Sequence, residues 1–216
     1  MSVAASLEPA MDAAGFAAAS GAGPEAVATL ERYRDLLADW NDRMNLVGAS
    51  TLDAFWSRHA WDSAQLLKFA PEALTWADLG AGAGLPGVVL AIMGKGRPGF
   101  HVHLVESMTK RCRFLAEAVA AYDLPATIHN ARAESLEIPV DVVTARACAP
   151  LVRLLGYAQP YFRQGALGLF LKGQDIASEI EEATRYWGFE AEVEPSLSDP
   201  RGRILRVRRL GRARTV

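Results

Sequence analysis

The chain has 216 residues, half of them hydrophobic, and a formal net charge of −2, which allows one sizeable core with at most a small appendage. No apolar run approaches the roughly 18–20 residues that cross a bilayer. The first 24 residues hold no Lys or Arg for a targeting segment, and two cysteines, Cys112 and Cys148, provide neither a disulfide framework nor zinc spacing.

Residues 1–23 are rich in Ala, Ser and Gly and are expected to be poorly ordered or weakly helical. From Pro24, Val27, Leu30, Tyr33, Leu37, Trp40 and Met44 recur at spacings of three and four, which predicts an amphipathic helix. A second helix is expected from a cap at Ser50-Thr51 to about Phe69, before Pro71. Residues 24–72 thus read as a helical segment packed on a main domain of residues 73–216.

After residue 74 strands and helices alternate. "TWADL" (75–79), "HVHLVE" (101–106), "ATIHNA" (126–131), "VDVVTAR" (140–146) and "ALGLFLKG" (166–173) read as strands. Helices are expected from Pro86 to Met93, over 107–122 with Ser107 as cap, over 149–162 and over 175–187. "EAEVEPSL" and "RILRVRRL" close the chain as an antiparallel pair. This order predicts a doubly wound α/β sheet, mostly parallel, with ligands at the carboxyl ends of its strands.

That end of the sheet carries "ADLGAGAGLPG", and two glycine templates fit it. Gly82 to Gly87 satisfies the G-x-G-x-x-G of dinucleotide folds. Gly80, Gly82 and Gly84 give a tighter G-x-G-x-G after an acid, Asp78. Glycine serves both, since the backbone must turn tightly and admit a ligand where a Cβ would collide. Charge separates them. A pyrophosphate at a helix N-terminus would be repelled by Asp78, whereas a sulfonium would be attracted, by about 4 kcal/mol at 4 Å and moderate dielectric. Glu106, ending the next strand, can accept hydrogen bonds from both hydroxyls of a ribose; it can equally be an acid in the first turn of a helix. Together these residues favour S-adenosylmethionine as cofactor.

The blocks "WNDRMNLVGAS", "RHAWDSAQLL", "ADLGAGAGLPGVVLAI", "LVESMTKRCRFL", "ARAESL", "TARACAPL" and "LKGQ" resemble, in that order and over roughly residues 25–210, the bacterial ribosomal RNA small-subunit methyltransferase G family, also called GidB. The resemblance implies a sheet of the class I S-adenosylmethionine-dependent methyltransferase type, with an antiparallel C-terminal strand and an N-terminal helical extension. It implies methylation of guanine N7 in 16S ribosomal RNA, with cofactor contacts at Gly80, Leu85, Ala133, Glu134 and Arg146 and with Glu106 at the ribose. Cys148 stands where relatives are expected to carry an apolar side chain, and the Ala-rich start lies outside the pattern.

Such chemistry suits this sequence. The place of an amino-methylating N/D-P-P-Y/F tetrad reads Arg146-Ala147-Cys148-Ala149-Pro150. Cys148 lacks the context of a C5-attacking thiolate and reads as a small core residue. Guanine N7 already presents a lone pair, so positioning can supply most of the catalysis and no acid–base dyad is required. Arg146 and Lys172, at strand ends, can orient guanine O6 or a phosphate; alternatively, each can pair with Asp78, Glu106 or Glu134. His59 and Asp62, three apart on a helix, are expected to bond each other. Asn41 and Asn45 share a helix face and can contact RNA or cap the helix end. His101, His103 and His129 read as surface or lightly buried residues, and no metal site is expected.

Charge is uneven: residues 201–216 hold seven arginines and no acid, whereas residues 1–200 carry a net −9. The basic end suits a polyanionic partner or a guarded edge strand. Lys110, Arg111, Arg113, Arg201 and Arg203 are the expected RNA contacts, giving salt-sensitive binding without sequence information. The expectation is a cytoplasmic monomer acting on 16S ribosomal RNA or the small ribosomal subunit, without a membrane partner. A small-molecule methyltransferase, an NAD-dependent oxidoreductase and a non-catalytic RNA-binding module remain as rivals.

Overall fold

The computed structural model describes residues 11–213 of the chain; the first ten residues and Arg214, both included in the sequence expectations, lie outside this range. Among the described residues, no helix is long and apolar enough to cross a membrane.

Seven strands form one sheet in the order β3-β2-β1-β4-β5-β7-β6. β1 (Thr75–Leu79), β2 (His101–Glu106), β3 (Ala126–Asn130), β4 (Val142–Arg146) and β5 (Leu167–Lys172) run parallel. β6 (Trp187–Pro195) and β7 (Arg203–Arg212) add an antiparallel edge. β1 lies between β2 and β4, so the chain reverses its direction of winding there and leaves a crevice at the strand tips.

Side-chain alternation divides each strand between two cores. Trp76, Val102, Leu104, Val142 and Leu169 pack toward one face, with α6 (Gly87–Gly94) and α7 (Thr109–Ala121). Ala77, Leu79, Val105, Val143, Ala145 and Phe170 pack toward the other, with α8 (Leu151–Arg163) and α9 (Ile176–Thr184).

Of the two alternatives expected for the N-terminal region, poorly ordered or weakly helical, residues 13–20 take the helical one. Caps define it: α1 (Ala13–Ser20) starts with the Asp12 carboxylate accepting Gly15 N–H at 2.7 Å and ends at Gly21 in the left-handed region. Its Phe16 is fully buried against Trp56, with ring centroids 5.4 Å apart. One buried aromatic contributes roughly 1.5–3 kcal/mol, enough to dock an otherwise featureless helix.

α2 (Pro24–Met44) buries Leu30, Tyr33 and Leu37 in the same core, and the Tyr33 hydroxyl donates to the Ala83 carbonyl of the glycine loop. Asn45 ends α2 in the left-handed conformation, and Asn41 Oδ1 accepts Val47 N–H at 2.9 Å; both asparagines serve the helix end.

The single helix expected over 50–69 is broken into α3 (Ala49–Leu52), a π-helical stretch (Trp56–Trp61), α4 (Asp62–Ala64) and α5 (Leu66–Phe69). Gly48, not Ser50 or Thr51, occupies its cap position. Trp56 and Trp61 are buried; Trp40 is partly so and donates to Glu117 at 3.1 Å.

Much of the basic end is engaged by its neighbour strand. Glu192 and Glu190 lie opposite Arg206 and Arg208 in the β6–β7 register. Arg206 pairs with Glu192 at 3.6 Å, Arg209 with Glu190 at 2.8 Å, and Arg212 lies over the Trp187 ring at 4.5 Å.

Candidate active site

The crevice opens into two adjoining cavities. The first, of about 250 Å³, is lined by Gly80, Glu106, Met108, Arg111, Ala131–Glu134, Ala147, Cys148 and Tyr157, among others. The second, of about 650 Å³, is lined by Arg58, His59, Asp62, Arg146, Lys172, Arg201 and Arg203, among others. Ala147 borders both; it follows β4 in the left-handed region, with φ 50°.

Gly80 opens the loop after β1. Its N–H and that of Ala81 donate to the Val105 carbonyl at 2.8 and 3.0 Å, tying the loop to β2. At φ 69°, a Cβ on Gly80 would stand 2.7 Å from Cys148 Sγ, so glycine is what lets the loop and the β4 tip approach. Burial, followed by the charges of Asp78, Glu106 and Glu134, pushes the Cys148 thiol up to about 11. A protonated thiol is no nucleophile, which agrees with a packing role for Cys148 at the cavity wall.

Glu106 is almost fully buried, and backbone donors fix its carboxylate. Oε2 accepts Gly82 N–H at 3.1 Å and Oε1 accepts Met108 N–H at 2.8 Å, with Arg111 at 3.7 Å. The expected Ser107 cap is corrected: Met108 holds the cap position, and the Glu106 carboxylate satisfies its N–H. Each carboxylate oxygen keeps a second lone pair for a ligand hydroxyl. Across the cavity, the Ala133 carbonyl accepts the Tyr161 hydroxyl at 3.3 Å, which anchors Ala133-Glu134.

Asp78 lies elsewhere than expected. Alternation along β1 sends it, with Trp76, to the α6 face; it is fully buried and lines neither cavity. Oδ2 accepts Gly87 N–H at 2.8 Å, while Oδ1 has no hydrogen-bond partner among the described residues. Burial pushes the carboxyl up to about 7, with the Gly87 N–H and Arg146 opposing the rise. Asp78 is therefore set back from the walls of both cavities. It occupies the donor at the α6 N-terminus where a pyrophosphate would bind, so the dinucleotide template fails on geometry rather than on long-range charge. Gly82, Gly84 and Leu85 likewise shape the loop without lining either cavity.

Arg146 faces the second cavity. Its partners are the Arg58 carbonyl at 2.8 Å, Asp62 Oδ2 at 3.3 Å and His59 Nδ1 at 3.0 Å; Asp78, Glu106 and Glu134 are not among them. His59 and Asp62 consequently meet Arg146 and not each other. The π-helical stretch assists, because Asp62 N–H donates to the Ser57 and His59 carbonyls and passes over Arg58. Guanidinium has no acceptor, so His59 Nδ1 must accept from Arg146 and Nε2–H must donate to Thr51 Oγ1, 2.9 Å away. Burial and the neighbouring Arg146 hold this imidazole down to about 4, which keeps it neutral for that task.

Lys172 lies beside Glu179, at 2.6 Å, and Glu179 also accepts Leu151 N–H at 2.8 Å. Among the expected RNA contacts, Arg111 belongs to the first cavity and Arg201 and Arg203 to the second. Arg113 is exposed on α7, and Lys110 donates to the Arg43 carbonyl at 3.3 Å. His103 Nδ1 lies 3.0 Å from His129 Nε2. No group of three or more His, Cys, Asp or Glu is placed to hold a metal among the described residues. Met108 and Tyr157 were not singled out from the sequence; the signal for Met108 was its place two residues after Glu106.

The fold is that of S-adenosylmethionine-dependent methyltransferases. The Podospora anserina methyltransferase PaMTH1 superposes with a TM-score of 0.61 over 90% of this chain and 92% of its own, at 12% identity. A SAM-dependent methyltransferase from Aquifex aeolicus gives 0.55 over 77% and 96%, at 15% identity. Within that class, residues 26–202 match the family described as rRNA small subunit methyltransferase G, and the chain belongs to it. It is 61% identical to the Ribosomal RNA small subunit methyltransferase G of Caulobacter vibrioides over 207 residues, 96% of each chain. Against that of Methylorubrum populi the identity is 47% over 191 residues, 87% of this chain and 90% of the other.

Proposed function

We propose that the protein transfers a methyl group from S-adenosylmethionine to N7 of a guanine in 16S ribosomal RNA. The observation that carries the cofactor half is the Glu106 carboxylate, held by two backbone N–H groups at the wall of the first cavity, with open lone pairs for a pair of ribose hydroxyls. Gly80, Ala133 and Glu134 line the same cavity as Glu106, which supports a nucleoside there. S-adenosylmethionine, when bound, supplies an electrophilic methyl carbon.

The chain's residues have a limited task. Guanine N7 has a lone pair and no proton to lose, so binding and alignment replace acid–base catalysis. Arg146, fixed by three partners, is assigned to orient the guanine through its O6 or an adjacent phosphate, in the second cavity. Lys172 keeps its Glu179 partner and adds positive charge to the same wall. Arg201 and Arg203 are assigned to phosphates. The small ribosomal subunit, cytoplasmic action and a monomer complete the proposal.

The test is transfer of labelled methyl groups to undermethylated small ribosomal subunits, followed by mapping of the modified base. Label at a guanine N7 is expected; label on metabolites alone, or on another base position, would overturn the assignment.

A further inference from the structure

A buried amide ties the segment carrying Asp62 to the loop between β6 and β7. Gln65 is fully buried, and its Oε1 accepts Leu197 N–H at 2.6 Å. Its Nε2 lies 3.0 Å from the Asp62 carbonyl and Ser196 Oγ, and 3.1 Å from Asp62 Oδ1 and Ser198 Oγ. Trp61 Nε1 donates to the Leu197 carbonyl at 3.0 Å, and Ser198 Oγ donates to Asp62 Oδ1 at 2.7 Å. The other oxygen of that carboxylate faces Arg146.

Asp62 is thus shared between the arginine at the β4 tip and the loop that brings Arg201 and Arg203 into the second cavity. Apolar packing would hold two segments together as well, without desolvating an amide and two hydroxyls. A satisfied polar cluster adds a defined relative placement.

We infer that Ser198 and Trp61 are positioning residues for the nucleic-acid substrate, setting Arg201 and Arg203 in register with Arg146. This rests on the proposed function. The loop's alignment with the guanidinium, more than its charge alone, then determines how tightly the RNA is held.

The full chain is assayed as wild type, Ser198→Ala, Ser198→Thr and Trp61→Phe, with undermethylated small ribosomal subunits as substrate. Ser198→Ala and Trp61→Phe are expected to raise KM for subunits about tenfold, with a smaller change in kcat and S-adenosylhomocysteine affinity within about twofold of wild type. Ser198→Thr, which keeps the hydroxyl, should restore most of the loss. An unmoved KM in folded variants, or an equal loss of S-adenosylhomocysteine affinity, overturns the inference. If Ser198→Ala does not fold, Trp61→Phe decides by the same criteria. No transfer by the wild-type chain would instead overturn the functional proposal beneath it.

Discussion

Arg146 and His59, 87 residues apart in sequence, meet at 3.0 Å, with the guanidinium donating to a neutral imidazole. The arginine is held by a carbonyl, a carboxylate and a ring nitrogen, leaving little rotational freedom. Arg146→Ala should lower methyl transfer by on the order of 100-fold while far-ultraviolet dichroism stays unchanged. Turnover near wild type in a folded variant would remove Arg146 from the site.

His59 also makes stability depend on pH. Its folded pKa, about 4, lies below the ordinary 6.5, so between these values the unfolded chain binds the proton and the folded one does not. The contribution is complete above about pH 6.5 and is lost as pH falls toward 4, by at most about 3 kcal/mol. Denaturant unfolding at pH 7 and pH 4.5 should show a smaller acid-induced loss for His59→Gln than for wild type. Parallel losses would refute the assignment.

Asp78 acts with the opposite sign. Its folded pKa, raised from 3.8 to about 7, means that the folded chain holds the extra proton. That stabilisation is present below pH 3.8 and is lost as pH rises through 7. Asp78→Asn can still accept the Gly87 N–H but carries no charge. Its melting temperature relative to wild type should rise from pH 5 to about pH 7 and level off by pH 8, and a flat difference throughout would show that the carboxyl is not perturbed.

Gly80→Ala faces both a left-handed backbone and the Cys148 sulfur. The substitution should destabilise the protein by roughly 1–2 kcal/mol and weaken S-adenosylhomocysteine binding. Adding Cys148→Ala should recover part of the stability, since it removes the sulfur but not the backbone cost. Strict additivity in that double-mutant cycle would mean that the two residues do not touch in solution.

The arginines of the C-terminal region separate by place: Arg201, 3.8 Å from Asp199, and Arg203 line the second cavity, whereas Arg206 and Arg209 pair with β6. Replacing Arg201 and Arg203 by Gln should weaken RNA binding and flatten the log Kd against log salt slope by about 2. Replacing Arg206 and Arg209 by Gln, where Glu192 and Glu190 already engage the charge, should change the slope little. Equal slopes for both pairs would contradict this division.

Much of the scaffold was legible in the sequence because its signals are local. Alternation in "HVHLVE", glycines after Asp78 and the length of each strand–helix unit are sufficient for the parallel sheet and its crevice. What escaped depends on partners distant in the chain. α1 has almost no amphipathic pattern, and its place follows from Phe16 meeting Trp56. The expected helix over 50–69 breaks around a π-helical stretch whose Arg58 carbonyl receives Arg146. Asp78 was assigned from its charge, whereas strand parity and one α6 N–H determine where it lies. Likewise, the charge of residues 201–216 could not reveal how far β6 balances it.

Ala147, the residue after β4, is the lining residue common to both cavities, a methyl group on a backbone at φ 50°. The two cavities therefore meet at a single shared wall residue among the described residues. A bulkier side chain there would project where the cavities adjoin and, under the proposed function, would hold cofactor and base further apart.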